Sequence, residues 1–441
     1  MIKSLLSSLE LDCILQSSFE DFLFKRKRYD KMNLFEELKW RGLIHSVTDE
    51  KIIEKLNNGE VTFYLGTDPT GDSLHVGHML VFLFAKRLEA VGNKPVFLIG
   101  GATGFIGDPK PSSERQLLSN DIIKHNAECL HKQVSNLFNC EMVNNFDWTH
   151  NIDVLTFLRT YGKFFNVNYM INKETVKARL DSGISYTEFS YQILQALDFE
   201  HLFAEKNCIL QIGGQDQWGN ITSGLELIRK IHGADAEAYG VTVPLFTKSD
   251  GTKFGKSEGG AIWLDPEKTS PYAFYQFWIN TPDNDVMREL KQFTFLSKEE
   301  IESLEQSFIA EPHKRAAQKA LAKEMTTIVH GEEAYNQAVK LSEALFSGNI
   351  SELTKEEIET LFNGVPKIEV SEEMPLIDAL VNVKAASSKR EARDFINNGA
   401  VLLNGVQNKD INHIVSKENA IGNVYTVIRR GKKNYYLIVH K

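Results

Sequence analysis

Residues 61–80 of the chain read VTFYLGTDPTGDSLHVGHML, and this stretch decides the fold. A β-rich run, VTFYL, leads into a turn rich in Gly, Asp and Ser, and a helical pattern follows in LHVGHML. Ligands of such strand–turn–helix units bind beyond the carboxyl end of the strand. His75 and His78 are three residues apart near the predicted helix start, so they share one helix face. The helix dipole there favours a phosphate, to which imidazoles can donate, although two histidines alone are more often ordinary surface or core residues.

The same alternation extends outward from this segment. Upstream, Leu34, Leu38 and Gly42 mark an amphipathic helix and its end. Downstream to about residue 245, the β-rich runs PVFLIGG (95–101) and CILQIGG (208–214) are separated by helical patterns. Strands that alternate with helices predict βαβ units and a parallel sheet, which is an α/β fold.

Helical patterns dominate the second half of the chain. Ser297 with Glu300, and Thr354 with Glu357, each fit a capping box that marks a helix start. A compact segment at the end combines a helix in SSKREARDFI (387–396) with the closing strands of VYTVIRRGKKNYYLIV (424–439). The predicted organisation is an N-terminal extension that is not native or is disordered, an α/β domain, an α-helical domain, a linker and a small α+β domain, at 1–31, 32–245, 246–345, 346–372 and 373–441.

Composition favours a globular protein without a membrane anchor. Hydrophobic residues make up 42% of the chain, and its longest apolar run, residues 79–85, is far too short to span a bilayer. Glu10 and Asp12 interrupt the first apolar stretch, so a secretory signal is not indicated. The cysteines show no CxxC spacing, which favours a reducing cytoplasm over disulfides or structural zinc: Cys13, Cys129, Cys140 and Cys208.

Charge is distributed unevenly along the chain. The formal net charge is −9, yet residues 384–441 contain eleven Lys/Arg against four Asp/Glu, a local excess of +7. An acidic body with a basic end indicates an enzyme that carries an RNA-facing module, while a merely solvated basic surface is the alternative.

A second candidate for phosphate chemistry is the segment GTKFGKSEGG, residues 251–260. It places Lys253 and Lys256 three residues apart in a loop rich in glycine. Ammonium groups there could neutralise charge that develops on a leaving pyrophosphate. Taken alone, Lys-x-x-Lys is more often a solvated loop.

Together, HVGH (75–78) and KFGKS (253–257) resemble HIGH and KMSKS, the two signatures of class I aminoacyl-tRNA synthetases. The resemblance covers nearly all of residues 32–441. Four further segments look like bacterial tyrosyl-tRNA synthetases: YLGTDPT (64–70), GGATGFIGDP (100–109), TEFSYQILQALDF (187–199) and QIGGQDQWGNI (211–221). The departures keep the charged groups: Val76 replaces the commoner isoleucine, and Phe254 and Gly255 occupy the middle of the second motif.

The resemblance implies a Rossmann-like catalytic domain, followed by an α-helical domain and a small RNA-binding domain shared with a ribosomal protein. It implies that L-tyrosine and ATP form tyrosyl-adenylate and pyrophosphate, and that tyrosine is then transferred to the 3′ end of its tRNA in translation. It also implies a homodimer. Metal-ligand spacing is absent from the sequence, so Mg²⁺ is expected to arrive with ATP, held largely by phosphate oxygens and water.

The resemblance also assigns individual residues of the sites. Around tyrosine it places Tyr64, Asp108, Tyr191, Gln195, Asp198 and Gln217. Around ATP it places Gly66, Asp68, Thr70, His75, His78, Gly214, Asp216, Lys253, Lys256 and Ser257. Arg115 joins His75, His78, Lys253 and Lys256 in catalysis, although its loop, residues 110–115, is one residue shorter than in many relatives and leaves the family's lysine unassigned. For tRNA it suggests Lys389, Arg390, Arg393, Arg429, Arg430, Lys432 and Lys433.

Spacing supports the tyrosine set independently. Tyr191, Gln195 and Asp198 are at i, i+4 and i+7, which puts them on one helix face. Asp198 lies in the apolar stretch QALDFEHLF, where a buried carboxylate needs a polar partner such as a phenol hydroxyl.

Three rival functions remain at this stage. A tryptophan-specific relative is disfavoured by the pairing of Asp198 with Tyr64, and a small adenylyltransferase is disfavoured by the chain length and the second lysine motif. A non-catalytic RNA-binding protein built on a decayed synthetase is disfavoured because both histidines and both lysines are retained.

Overall fold

The computed structural model describes residues 32–110, 113–138, 140–247, 261–362, 365–431 and 434–441. The chain divides into two compact units. The first unit runs to Thr269 and includes Phe277–Val329, and the second comprises Ser270–Gln276 and His330–Lys441. The extension 1–31 and the candidates Lys253, Lys256, Ser257, Lys432 and Lys433 lie outside the described residues. No described helix is both long and apolar enough to cross a membrane.

The first unit is built on a six-stranded sheet in the order β1-β6-β5-β2-β3-β4. Neighbouring strands are parallel except at the edge, where β1 pairs antiparallel with β6. The strands are β1 (Ser46–Val47), β2 (Thr62–Thr67), β3 (Lys94–Ile99), β4 (Glu141–Asn144), β5 (Cys208–Gly214) and β6 (Tyr239–Val243). The parallel sheet predicted from VTFYL, PVFLIGG and CILQIGG is therefore confirmed.

Helices connect these strands and extend the unit beyond the sheet. They are α1 (Leu34–Trp40), α2 (Ile52–Asn57), α3 (Val76–Ala90), α4 (Asn120–Phe138), α5 (Phe146–Thr149), α6 (Val154–Thr156), α7 (Val167–Ile171), α8 (Glu174–Lys177), α9 (Tyr186–Lys206), α10 (Trp218–His232), α11 (Pro271–Ile279), α12 (Asp283–Phe293), α13 (Lys298–Ala310) and α14 (Ala316–Ser347). Residues of α11 and α14 are divided between the units, and α14 has non-helical dihedrals at Gly331, where φ is 86°.

Two helices position most of the polar side chains discussed below. Helix α3 follows β2 directly, as the opening stretch of sequence predicts. Helix α9 begins at the capping residue Ser185 and ends where Asn207 adopts a left-handed conformation, with φ of 50°. Its residue Phe199 is fully buried in a cluster with Tyr64 of β2 and Ile221 of α10, which fixes α9 against the sheet.

The second unit contains a five-stranded sheet in the order β10-β9-β12-β13-β7 and a two-stranded sheet, β11-β8. The strands are β7 (Lys367–Val370), β8 (Met374–Pro375), β9 (Val401–Leu403), β10 (Val406–Gln407), β11 (Ile414–Val415), β12 (Tyr425–Arg430) and β13 (Asn434–His440). Its later helices are α15 (Lys355–Leu361), α16 (Leu376–Asn382) and α17 (Lys389–Asn397). Leu380, Ile396 and Ile428 belong to its fully buried core.

Several local predictions are confirmed. Capping boxes form at Ser297 with Glu300 and at Thr354 with Glu357. The basic helix and the closing pair of antiparallel strands are present as α17, β12 and β13. The predicted domain boundaries remain a prediction.

Candidate active site

A cavity of about 360 Å³ opens in the first unit beside the carboxyl ends of β2 and β5. The structure brings together every described residue that the sequence predicted for tyrosine, ATP and catalysis. These residues all line the cavity: Tyr64, Gly66, Asp68, Thr70, His75, His78, Asp108, Arg115, Tyr191, Gln195, Asp198, Gly214, Asp216 and Gln217.

At one end of the cavity lies Asp198 of α9, which is only 2% exposed. One carboxylate oxygen accepts from Nδ2 of Asn145 at 2.9 Å, and the other accepts from Nε1 of Trp148 at 3.0 Å. Burial raises the pKa of Asp198 to about 7, while the two donors act in the opposite direction. The buried hydroxyl of Tyr64 has no hydrogen-bond partner among the described residues. This end therefore contains an acceptor and an unpaired hydroxyl group within one buried environment.

Sequence reasoning missed the residues that hold Asp198. Asn145 is completely buried and links three groups, because it accepts from the backbone N–H of Ala102 at 2.6 Å and donates to Thr103 at 3.0 Å as well as to Asp198. Asn145 and Trp148 follow the carboxyl end of β4, where a polar and aromatic run could have been recognised as part of a ligand site.

Next to this end, Asp68 lies in the turn after β2. It accepts from the Thr103 hydroxyl at 2.6 Å and from the Tyr191 hydroxyl at 2.9 Å. Burial raises the pKa of Asp68, and these hydrogen bonds oppose that rise. Tyr191 is thus fixed against Asp68, with its ring on the cavity wall.

A second carboxylate network surrounds Asp108. Its oxygens accept from Gln217 at 3.0 Å and from Asn220 at 3.2 Å, and burial raises its pKa to about 6. Gln195 donates to Gln217 at 3.2 Å, and its own buried amide oxygen has no partner among the described residues. Asn220 was not predicted as part of the site, although it lies one helical turn from Gln217.

The two histidines form the N-terminal cap of α3. Nδ1 of His75 accepts from the backbone N–H of Gly77 at 3.0 Å, and Nδ1 of His78 accepts from the backbone N–H of His75 at 3.2 Å. Burial lowers both pKa values, that of His78 to about 3. The rings are therefore neutral, and because each Nδ1 accepts, each Nε2 has the proton and can donate. A Cβ at position 77 would lie 2.7 Å from Cε1 of His75, so any other residue there would displace the His75 ring.

The residues that follow the KFGKS segment pair with the HVGH segment. The backbone N–H of Val76 donates to the carbonyl of Ile262 at 2.9 Å, and that of Leu264 donates to the carbonyl of Leu74 at 2.9 Å. The rings of His75 and Trp263 are 5.9 Å apart. Residues 262–264 thus lie beside the two histidines.

The candidate RNA contacts in the second unit differ in availability. Arg390 and Arg393 of α17 are exposed, while Lys389 forms an ion pair with Asp378 at 2.6 Å. Arg430 donates to the carbonyl of Ala385, and its guanidinium lies 5.3 Å from the ring centre of Phe395. Arg429 is partly exposed on the same strand. The α17 side chains are therefore the more available group.

Comparison with known proteins adds independent information. The family model for class I tRNA synthetases (W and Y) matches residues 56–347, and the tyrosine–tRNA ligase SYY-like C-terminal domain matches residues 357–438. Tyrosine–tRNA ligase 2 of Bacillus cereus is 53% identical over 416 residues, which cover 92% of this chain and 99% of that protein. The chain belongs to the tyrosine–tRNA ligases. It is therefore a class I aminoacyl-tRNA synthetase, an enzyme that uses ATP as a substrate.

Other members of the tyrosine–tRNA ligases agree with this assignment. The tyrosine–tRNA ligase of Listeria welshimeri is 52% identical over 419 residues, covering 93% of this chain and all of that one. The crystal structure of a C-terminally truncated mitochondrial tyrosyl-tRNA synthetase from Aspergillus nidulans matches with a TM-score of 0.64 and 31% identity, over 75% of this chain and 99% of that chain. The family, fold class and enzyme class predicted from HVGH and KFGKS are confirmed.

Proposed function

We propose that the cavity binds L-tyrosine and ATP side by side, with the tyrosine phenol at Asp198 and Tyr64 and the ATP phosphates at His75 and His78. The observation that carries this is the paired chemistry at the buried end, an acceptor carboxylate beside an unpaired hydroxyl. A phenol O–H can donate to the first and accept from the second. The tyrosine carboxylate would then attack the α-phosphorus of ATP, giving tyrosyl-adenylate and releasing pyrophosphate.

The ammonium of tyrosine fits the middle of the cavity. Asp68 and Asp108 both line it, and both have pKa values that burial raises. A cation between two buried carboxylates offsets the desolvation of both. The free amide oxygen of Gln195 supplies a further acceptor. Gln217, which donates to Asp108, lies where it could contact the tyrosine carboxylate.

The phosphate end acts through positioning and charge, since the substrate carboxylate is itself the nucleophile. The Nε2 groups of His75 and His78 would donate to phosphate oxygens at the start of α3. Lys253, Lys256 and Arg115 would neutralise the departing pyrophosphate. The glycine-containing turn after β2 and the segment at Gly214 and Asp216 would hold the rest of ATP.

Magnesium is proposed to enter with ATP. Within the part of the chain that the structure describes, no group of three or more His, Cys, Asp or Glu side chains is arranged to hold a metal ion. Mg²⁺ is commonly bound by one or two carboxylates together with substrate phosphates and water. Its contribution would be neutralisation of phosphate charge, while this chain's own residues orient the reacting groups.

A direct test is pyrophosphate exchange with all twenty amino acids. Exchange that depends on tyrosine, with phenylalanine and tryptophan far weaker, is expected. Exchange with tryptophan would favour the tryptophan-specific alternative, and no exchange at all would favour a protein that binds RNA without catalysis.

For the second step, we propose that the tRNA is held by the basic face of α17 while its 3′ end reaches the cavity. A homodimer is also proposed, because several apolar side chains between residues 154 and 167 of the first unit are exposed. Val154 is 72% exposed, Leu155 76% and Val167 57%. Exposed apolar side chains that lie together commonly mark a protein interface. Sedimentation should give a mass near twice 50.0 kDa. The proposed location is the cytoplasm.

Tyr64→Phe should weaken tyrosine binding by a modest factor. The substitution removes one hydroxyl that lacks a partner among the described residues, so folding should lose little and the phenol should lose one of its two contacts. A neutral hydrogen bond contributes about 0.5 to 1.5 kcal/mol, so the dissociation constant should rise roughly two- to twelvefold. Equilibrium dialysis measures it, and phenylalanine binding serves as the control because it should not change. An unchanged tyrosine affinity would remove Tyr64 from the site.

Tyrosine should bind more tightly as the pH rises from 6 to 8. The pKa of Asp198 is raised to about 7, so its carboxyl is protonated below that pH and ionised above it. Only the ionised form can accept from both fixed donors and from the substrate phenol, whose own pKa of about 10 keeps it protonated. The dissociation constant should fall with pH and level off near pH 8. In Asp198→Asn the change in tyrosine affinity near pH 7 should vanish. A smaller change should remain from the ionisation of Asp108, whose pKa is about 6. A wild-type profile that is flat over this range would contradict the assignment.

A further inference from the structure

Two buried side chains outside the cavity form an ion pair that contacts Lys110, Glu114 and Arg115. Arg179 is 3% exposed and Glu188 is 2% exposed, and Nη1 of Arg179 lies 3.0 Å from Oε2 of Glu188. Neither residue lines the cavity. A buried ion pair is by itself weak support for a fold, because desolvation of both charges cancels much of their attraction. The role of this ion pair follows instead from its hydrogen bonds to neighbouring residues.

The ion pair contacts the backbone at both Lys110 and Arg115. On one side, Nη1 of Arg179 donates to the carbonyl of Lys110 at 3.0 Å. On the other side, the backbone N–H of Arg115 donates to Oε1 of Glu188 at 2.7 Å. Arg179 also donates to the carboxylate of Glu114 at 3.3 Å and to the carbonyl of Gly183 at 3.0 Å. Each oxygen of Glu188 thus has a separate partner, one in the ion pair and one in the loop.

These contacts fix the backbone from which the Arg115 side chain reaches the cavity. Nε of Arg115 donates to the carbonyl of Asp108, and the side chain lies across Gly107. A Cβ at Gly107 would be 2.6 Å from Cδ of Arg115, and its φ of +78° also favours glycine. Arg115, Asp68 and Asp108 all line the cavity. Burial raises the pKa values of the two carboxyl groups, and the positive charge of Arg115 opposes that rise.

Glu188 connects this arrangement to the tyrosine site through a single helix. It lies in the first turn of α9, where its backbone N–H donates to the capping hydroxyl of Ser185 at 3.2 Å. Tyr191 and Asp198 follow on the same helix. Helix α9 therefore connects the phenol end of the cavity to the residue that holds the backbone of Arg115.

We propose that Arg179 and Glu188 are positioning residues that fix the position of Arg115 relative to the residues of α9. They would thereby fix the position of the ATP phosphates relative to bound tyrosine. This inference rests on the proposed function of the cavity. Neither residue needs to touch substrate. Their role predicts an effect on the ATP-dependent step that is separate from tyrosine affinity.

The test uses Glu188→Gln and Arg179→Lys in the full chain. Glutamine keeps the size and one acceptor oxygen, and lysine keeps the charge but cannot donate to Glu188, Lys110 and Gly183 together. Rates of adenylate formation are measured per active site, by titration with ATP, together with tyrosine dissociation constants in the absence of ATP. Because small misplacements of a catalytic group can cost up to about 10²-fold, a rise in the ATP KM or a fall in kcat of about tenfold is expected. Tyrosine affinity should stay within about twofold, a difference of less than 0.5 kcal/mol.

A matched control and a double variant separate positioning from folding. Glu200→Gln alters another carboxylate contact of the same helix, Glu200 with Nε2 of His232 at 2.9 Å, and should leave the ATP parameters unchanged. In an Arg115→Ala background, Glu188→Gln should cause little further loss, because the two residues act as one unit. Additive losses, or a lower melting temperature with normal kinetics per active site, would overturn the inference. If the wild-type protein failed to catalyse tyrosine-dependent exchange, the proposed function would fail instead.

Discussion

Replacing Asp198 with alanine is expected to raise the dissociation constant for tyrosine by about 10- to 100-fold, as follows from the roughly 1.5 to 3 kcal/mol of a hydrogen bond to a charged group. In the proposed function this carboxylate is the acceptor for the phenol, and its orientation is fixed by Asn145 and Trp148. Alanine removes the acceptor and leaves space in its place. Because the lost contact distinguishes tyrosine from phenylalanine, selectivity should fall with affinity. Equilibrium dialysis with each amino acid measures both.

The substitution will also lower the melting temperature, since two buried donors lose their partner. Binding must therefore be referred to the folded fraction. Glu289→Gln is a suitable control, because Glu289 is also a buried carboxylate whose pKa burial raises to about 7, and it accepts from Thr281 without lining the cavity. It should change stability but not tyrosine affinity. An Asp198→Ala protein with wild-type tyrosine affinity would show that the phenol lies elsewhere.

The sequence indicated Asp198 but not the groups that orient it. Helical spacing predicted that Tyr191, Gln195 and Asp198 would share a face, because residues on one helix have a fixed geometry. Asn145 and Trp148 come from the end of another strand, about 50 positions earlier, as the separations of 53 and 50 residues show. Such contacts depend on strand order, which local periodicity does not contain. Glu188 lies on the same helix as Tyr191, but its contact with the backbone of Arg115 joins residues 73 positions apart, which helical spacing does not indicate.

The histidine pair shows a different limit. Its position at the start of a helix followed from the strand–turn–helix pattern, and the structure confirms it. The reciprocal cap, in which each Nδ1 accepts from a backbone N–H, did not follow, because histidine is not among the residues that usually form a capping box. That cap determines which nitrogen donates, so the chemistry of the motif depends on a local detail beyond its spacing.

The arrangement of the chain into units was also only partly predictable. Strand and helix alternation predicted the parallel sheet, and turn signals predicted the closing strands. Helix α14, however, continues from the first unit into the second, with a break in its dihedrals at Gly331. Neither proline nor a polar linker marks that position, so composition could not locate it.

Substituting Lys389, Arg390 and Arg393 together by alanine should weaken tRNA binding by about 10- to 100-fold at low salt, since each phosphate contact releases counterions. The logarithmic salt slope should become shallower by roughly two to three units, so the gap between variant and wild type narrows as salt rises. Charging at subsaturating tRNA should fall accordingly. Tyrosyl-adenylate formation should not respond, because the described residues that line the proposed tyrosine and ATP cavity lie between positions 64 and 246.

The control for charge alone is a variant with Lys51, Lys94 and Lys314 replaced by alanine. These lysines are exposed in separate parts of the first unit, and their loss changes the net charge by the same amount. If basic residues act only through overall charge, both triple variants should weaken tRNA binding equally. A loss confined to the α17 variant, with its own salt slope, would identify that helix as a phosphate-binding face. If the α17 variant still charged tRNA fully at subsaturating tRNA, its basic residues would be only a solvated surface. The three substituted side chains lie on one short helix, and the loss of three phosphate contacts would lower tRNA affinity measurably.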